Sequence, residues 1–386
     1  MVVTRRMKLE TEFEKHVVTG GGGYLGYKLG LYLLERGIHV TLFDCRDEPY
    51  GEMKPGMTYV KGDVRDSSSV EAVLENADCV YHLASYGMSG REQLNSKLIE
   101  DVNINGTENV LKGCRKQTVR RLVYTSTYNV VFGGQEIING DETLPYLPLN
   151  KHSDHYSRTK SIAEQKVLAA DCDELKTCAL RLAGVYGPGE QRHLPRIISL
   201  IEMGLFVFTY GDKDSLVDFL HADNLIQAEY LAGVKLSEKH SCKAAGQAYF
   251  ICDNKPVNNF EFFRPLVEGL GYSFPKVSLP FNFMFFIAFL TEWLHFIIGR
   301  VYNFQPLLTR TEVYKTGITH YFSIEKARSE LGYNPTKQNA MDEVLQYYIE
   351  QGRFKKPQSR GMRLLVDVIL ACVFASLLLS FLPMTN

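Results

Sequence analysis

The sequence predicts a doubly wound, parallel α/β sheet, followed by a smaller α/β lobe and a C-terminal transmembrane helix. Three observations predict it. A short β-rich run, Lys15–Thr19, feeds directly into Gly20-Gly21-Gly22-Gly23-Tyr24-Leu25-Gly26, after which Leu29, Leu33 and Leu34 recur at helical spacing. A second apolar run, 39–43, ends at Asp44, and further strand ends follow at βαβ spacing. A nineteen-residue apolar stretch occupies 364–382.

The first step reads as strand, tight turn, helix. Gly20 permits the turn, Gly23 leaves room for a pyrophosphate to approach the backbone, and Gly26 lets the helix lie close to the strand. The helix N-terminus, with Tyr24 and Leu25 in its first turn, then faces the phosphates. The expectation is a Rossmann dinucleotide site, with a flexible surface loop as the alternative. The carboxylate of Asp44 accepts hydrogen bonds from ribose hydroxyls and repels a 2′-phosphate, so NAD is favoured over NADP, with Arg46 weighing the other way. The next strands are 58–61 before Asp63-Val64, 79–83 before Ala84, and 121–124 before Thr125. Asp63 is placed to meet the adenine amino group, with Val64 beside it, and Ala84 to pass beneath the ribose; ordinary turn positions are the alternative for each. Asn103, inside a predicted helix, fits either a satisfied buried amide or a place in a proton relay.

Downstream lies His155-Tyr156-Ser157-Arg158-Thr159-Lys160. One helical turn separates Tyr156 from Lys160, so the ammonium is expected beside the phenol, where its charge favours the phenolate and makes the tyrosine an acid–base group. Alone, the pair is an ordinary amphipathic face; the glycine-rich turn upstream gives it meaning.

Thr19-Gly20-x-x-Gly23-x-x-Gly26, Asp63-Val64, Tyr124-Thr125-Ser126-Thr127 and Tyr156-x-x-x-Lys160 together resemble the extended short-chain dehydrogenase/reductases. The likeness is to the branch holding 3β-hydroxysteroid dehydrogenases and sterol 4-carboxylate decarboxylating enzymes. Phe132-Gly133-Gly134-Gln135 and Gly187-Pro188-Gly189-Glu190-Gln191-Arg192 narrow it to family 42E of that superfamily. The resemblance covers roughly residues 14 to 350. It implies a catalytic hydroxyl at Thr127, with Ser126 as neighbouring candidate, and a proton exchanged by Tyr156 as hydride passes between a carbinol carbon and nicotinamide. It implies a second task for Lys160, which holds the nicotinamide ribose as well as tuning the phenol. Leu182 stands where the family commonly has proline, which loosens a turn beside the cofactor. Asp223 or Asn224 is expected to cap the next helix, with His221 structural. Arg192, His193 and Arg196 fit a solvated face, a phosphate clamp or a substrate gate.

The run at 364–382 carries only Asp367 as a charge and spans ~29 Å as a helix, close to the hydrocarbon thickness of a bilayer. Arg353, Lys355, Lys356, Arg360 and Arg363 precede it, which puts the enzyme body in the cytosol. The expectation is a single-pass protein of the endoplasmic-reticulum membrane, with a buried C-terminal helix as the alternative. A second apolar run at 281–298 reads as an interfacial or re-entrant helix beside the substrate mouth, or as core of the second lobe.

With 386 residues the chain exceeds one ordinary domain. The expected division is a polar arm at 1–13 without the apolar core of a signal peptide, a dinucleotide domain at 14–190, and a substrate lobe at 191–350 interleaved with core elements. A basic linker at 351–363 and the membrane helix complete it. A net charge of -1, from 43 basic and 44 acidic side chains, gives no field for nucleic acid. Eight scattered cysteines show no metal-ligand spacing and read as reduced thiols. The expected function is NAD-dependent oxidation or reduction at a sterol or steroid 3β-hydroxyl, with a homodimer held open. A nucleotide-sugar epimerase or dehydratase, or a dinucleotide-loaded scaffold, are the alternatives.

Overall fold

The predicted strand–turn–helix steps are present in the structure, a computed structural model that describes residues 14–88, 90–298 and 308–355. The first half runs β1 (Lys15–Thr19), α1 (Tyr24–Leu34), β2 (His39–Asp44), β3 (Met57–Lys61), α2 (Ser67–Val73), β4 (Cys79–His82), α3 (Ser96–Glu100), α4 (Thr107–Lys116) and β5 (Arg121–Thr127). After β6 (Ile137–Gly140) come α5 (His155–Ala169), β7 (Lys176–Leu182), β8 (Gly184–Tyr186), α6 (Leu194–Glu202), β9 (Phe208–Tyr210), β10 (Phe219–His221), α7 (Ala222–Lys235) and β11 (Gln247–Ile251). The remainder is α8 (Asn259–Gly269), β12 (Val277–Leu279), α9 (Phe281–Ile298), α10 (Arg310–Gly317), β13 (His320–Phe322) and α11 (Met341–Glu350).

Seven strands form one parallel sheet in the order β11-β7-β5-β4-β1-β2-β3. Alternate side chains enter opposite cores: Val18, Leu42, Tyr81 and Val123 face one, Val17, Phe43, Val80 and Leu122 the other. Both faces are covered by helices, which is why these strands read as nearly continuous apolar runs. The order reverses at β1, which pairs with β2 on one side and β4 on the other. A crevice for a ligand opens at the carboxyl ends beside such a reversal. Strand β5 is longer than its apolar run, because pairing with β7 continues to Thr127 opposite Leu182. The last strand, β11, lies well past residue 190, so the substrate lobe and the sheet are interleaved.

The lobe has its own core, in which Phe219 stacks on Phe262 beside Phe263, Leu266, Val344 and Tyr348. Helix α9 covers 281–298 and divides by depth. Met284 and Ala288 are buried among Tyr210, Phe260, Phe274 and Val313, whereas Phe286, Phe289, Trp293, Leu294, Phe296 and Ile297 are exposed. The run is thus core of the second lobe along one face, and its other face is an exposed apolar surface. Among the described residues no helix is long and apolar enough to cross a membrane, and the run at 364–382 lies outside them.

Candidate active site

The glycine-rich turn joins β1 to α1 at the crevice. Gly20 has φ +72, and a Cβ there would lie 2.9 Å from the Ala84 nitrogen. A Cβ at Gly26 would lie 2.3 Å from the Gly20 oxygen, so only glycine allows the helix this close to the turn. Gly23 differs: its Cβ would meet only the Gly20 oxygen, at 3.4 Å. Gly23 is also the N-cap of α1, with no side-chain cap. The first N–H groups of the helix are thus without a side-chain acceptor beside an unobstructed glycine, which fits a pyrophosphate. At the end of β2, Asp44 takes the Gly22 N–H at 3.0 Å and the Arg46 N–H at 3.1 Å. Asp63 is held by Arg65 at 2.6 Å, and Val64 is buried against Gly106. Tyr24 turns its hydroxyl to the Pro188 oxygen, 2.9 Å away, while Leu25 packs on the core beneath.

A buried hydrogen-bonded chain connects this turn to α5. The Ala84 N–H donates to Thr19 Oγ1 at 3.3 Å, and Thr19 Oγ1 lies 2.7 Å from His82 Nδ1. His82 Nε2 is 2.9 Å from Thr107 Oγ1, whose hydroxyl donates to the Asn103 oxygen. Since Thr107 gives its hydrogen to Asn103, the imidazole proton sits on Nε2 and Nδ1 accepts from Thr19. Burial pulls His82 down to about 3, so the ring stays neutral. Asn103 lies in a π-helical stretch between α3 and α4. Its amide accepts the Tyr86 N–H and donates to the Tyr86 oxygen and Thr159 Oγ1, at 2.9 to 3.0 Å. These bonds place the amide as a clamp between the β4 loop and α5.

Helix α5 is capped by Asp154, which takes the Ser157 N–H at 2.6 Å. Tyr156, Lys160 and Glu164 follow at four-residue spacing, and all are buried. Here one expectation is corrected. The Lys160 amine is engaged at β5 rather than at the Tyr156 hydroxyl. Its Nζ donates to the Thr125 oxygen at 2.5 Å and sits 4.1 Å over the Tyr124 ring. Burial pushes Tyr156 up to about 12, with the Arg192 charge and the Ser85 side chain pulling the other way. Burial pulls Lys160 down to about 7, against Glu164 and Glu229.

The two hydroxyl candidates separate. Ser126 donates to Glu164, a fully buried carboxylate that also takes the Tyr146 hydroxyl and Arg181. Thr127 Oγ1 accepts the Asn129 N–H at 3.3 Å, which leaves its own hydrogen to donate. Leu182, the departure from proline, is buried at the end of β7.

The helix cap at α7 is a second correction. His221 is the N-cap and its Nδ1 accepts the Asp223 N–H at 3.2 Å. Asn224 is instead tied to Asp253 and Lys337, and Asp223 pairs with Lys28 at 2.7 Å. Glu343, near His221, is paired with Lys337, so the cluster His221–Asp223–Glu343 carries its own cations. Of the three basic residues after Gly189, Arg196 meets Glu312 at 2.6 Å and Arg192 faces Glu92 at 4.0 Å. The His193 N–H, with those of Arg192 and Leu194, goes to Glu190.

Sequence reasoning missed Glu164 and Glu229. Glu164 continues the Tyr156–Lys160 spacing by one more turn, a signal that was there to read. Glu229 is a lone carboxylate among the buried residues Leu225, Ile226, Ala228 and Ala232 of α7.

Comparison with known proteins decides the family. Residues 17–281 match the model of the 3-beta hydroxysteroid dehydrogenase/isomerase family. The chain belongs to that family. A Danio rerio protein named short-chain dehydrogenase/reductase family 42E member 1 is 57% identical over 388 residues, covering 98% of this chain and 100% of the relative. This is the branch that the motifs resemble. A 3 beta-hydroxysteroid dehydrogenase/Delta 5-->4-isomerase of Mycobacterium tuberculosis is 36% identical over 370 residues, 92% of this chain and 97% of the relative. Among solved structures, an epimerase from Methanothermobacter thermautotrophicus superposes with a TM-score of 0.68 at 22% identity, covering 88% of this chain and 93% of that one. At that identity the likeness speaks for the fold alone, and it places this hydroxysteroid dehydrogenase family on a scaffold shared with epimerases.

Proposed function

We propose that the protein is a membrane-associated, NAD-dependent oxidoreductase acting on the 3β-hydroxyl of a sterol or steroid, or on the corresponding ketone. The observation that carries this reading is the placement of Tyr156 and Lys160 on one face of α5, beside the end of β5. Membership of the hydroxysteroid dehydrogenase family supports the substrate class. Gly20, Gly23, Tyr24, Leu25 and Gly26 would hold the pyrophosphate end of the dinucleotide, with Asp44 on the adenosine ribose, Asp63 and Val64 on the adenine side and Ala84 beneath the ribose. Asp44 favours NAD over NADP, since its charge opposes a 2′-phosphate. Bound NAD supplies the hydride acceptor at C4 of its nicotinamide. Thr127 donates a hydrogen bond to the reacting oxygen, and Tyr156 takes the hydroxyl proton or returns it. Lys160 leaves Thr125 to hold the nicotinamide ribose and to favour the phenolate. Asn103 keeps α5 in place and is available to a relay only by giving up part of its clamp.

The sugar-nucleotide alternative needs cations for a diphosphate. Arg192 and Arg196 each face a carboxylate, which argues against it. The test is a panel of 3β-hydroxysterols and UDP-sugars with NAD and NADP, with products identified by mass. A sterol ketone formed faster with NAD supports the proposal, an epimerised sugar refutes it, and NAD binding without turnover of any compound makes the protein a scaffold.

The exposed side chains of α9 form the surface through which a lipid-dissolved substrate enters, with α9 lying in the bilayer interface. Phe296 is 69% exposed, Phe286 55% and Trp293 54%, on one helix. Trp293 is the sole tryptophan of the chain, so its fluorescence reports α9 alone. In vesicles containing brominated lipid the full chain should show quenched Trp293 emission. Emission unchanged from that in detergent refutes contact of α9 with lipid.

A further inference from the structure

Lys160 and Glu229 lie on opposite faces of the sheet and meet at a single residue of β5. Thr125 accepts a hydrogen bond from Lys160 Nζ through its backbone oxygen, at 2.5 Å, and donates its hydroxyl to Glu229 Oε1, at 2.6 Å. Glu229 is fully buried and Lys160 nearly so. Glu229 Oε2 has no hydrogen-bond partner.

A buried carboxylate with one oxygen unsatisfied is costly unless a nearby charge compensates it or it takes up a proton. The groups facing the pair narrow what that charge is. Around Lys160 stand Glu164 on its own helix, neutral His82 at the end of β4, the Tyr124 ring and Tyr156. Glu164 is already bound by Arg181 at 2.8 Å. Around Glu229 stand Tyr81 of β4 and Cys178 of β7, both uncharged groups whose ionisation it opposes. Lys160 is thus the cation near Glu229, and Glu229 the carboxylate near Lys160 that no arginine has neutralised, among the described residues.

We propose that Glu229 is the counter-charge that keeps the Lys160 amine protonated from across the sheet, which makes it a positioning residue for the Tyr156 chemistry. The two side chains need no direct contact, since Thr125 links them and both charged ends are buried. Burial moves the two groups toward each other, Lys160 down and Glu229 up, so the pair is close to exchanging its charge for neutrality. Small changes at Thr125 therefore tip the protonation of Lys160.

Glu229→Gln keeps an acceptor for the Thr125 hydroxyl and removes only the charge. NADH affinity, followed by fluorescence across pH, should lose its Lys160-dependent component at a pH lower by about one unit than in the parent, a tenfold loss of proton affinity. A purely structural role would weaken NADH binding equally at every pH, and an unmoved midpoint overturns the proposal. Should Glu229→Gln not fold, Lys160→Met gives the reciprocal reading by infrared spectroscopy. Without the amine, Glu229 should hold its proton at pH 8 and add a carboxylic-acid stretch absent from the parent; no added band overturns the pairing. The inference rests on the proposed role of Lys160 for its consequence only. Neither readout is turnover, so failure of the sterol reading and failure of the charge pair are distinguishable.

Discussion

Tyr156→Phe is expected to lower kcat by ~10³-fold, within the range for loss of a general acid–base group, while NAD affinity stays near that of the parent. The phenylalanine ring fits the same buried position, since Tyr156 is 6% exposed and only its hydroxyl is removed. In terms of barrier height the loss is about 4 kcal/mol. Without ligands the phenol, at about 12, is protonated at neutral pH, so it begins as an acid and becomes a base only when its surroundings change. The oxidative reaction should therefore accelerate with rising pH and the reductive one slow. Steady-state kinetics with the best sterol of the panel, together with NAD titration, checks this. Turnover retained in the variant contradicts the assignment.

Glu164→Ala is expected to destabilise the fold by about 3–5 kcal/mol, the cost of breaking a buried ion pair from one side. Glu164 gathers Ser126, Tyr146 and two bonds from Arg181, whose Nε is 2.9 Å away and whose Nη2 is 2.8 Å away. The guanidinium is buried and its Nη1 has no partner even in the intact protein. Removing the carboxylate leaves an uncompensated cation under the hydroxyl-bearing end of β5, a large fraction of the 5–15 kcal/mol typical of a folded domain. Urea unfolding measures it. The double variant Glu164→Ala, Arg181→Met should be more stable than Glu164→Ala alone, and a single variant within about 1 kcal/mol of the parent would show that the pair bears no such load.

The N-terminal half was legible because its signals are local. The turn from Gly20 to Gly26, the carboxylate at the end of β2 and the four-residue spacing of Tyr156 and Lys160 are written within short stretches of chain. What escaped depends on contacts between distant segments. Thr125 and Glu229 are 104 residues apart, and nothing in either neighbourhood announces the other. Spacing put Lys160 on the same face as Tyr156, yet the direction of its amine is set by the Thr125 carbonyl, 35 residues earlier in the chain. The cap of α7 fell on His221 rather than on Asp223 or Asn224, because Asp253 holds Asn224 and Lys28 holds Asp223. Helix α9 shows the limit of hydropathy alone. An apolar run gives the helix, while which side is core depends on Phe260 and Phe274, met only in the fold.

The central claim is that the Tyr156 phenol and a bound nicotinamide share one reacting space. The structure of the full chain with NAD tests it most directly. The account predicts a dinucleotide lying along Gly20, Gly23 and Asp44, the Lys160 amine released from Thr125 toward the ribose, and the Tyr156 hydroxyl facing the ring across a gap that one alcohol oxygen bridges. A complex in which the phenol points away from the ring, with Lys160 still on Thr125, would contradict it.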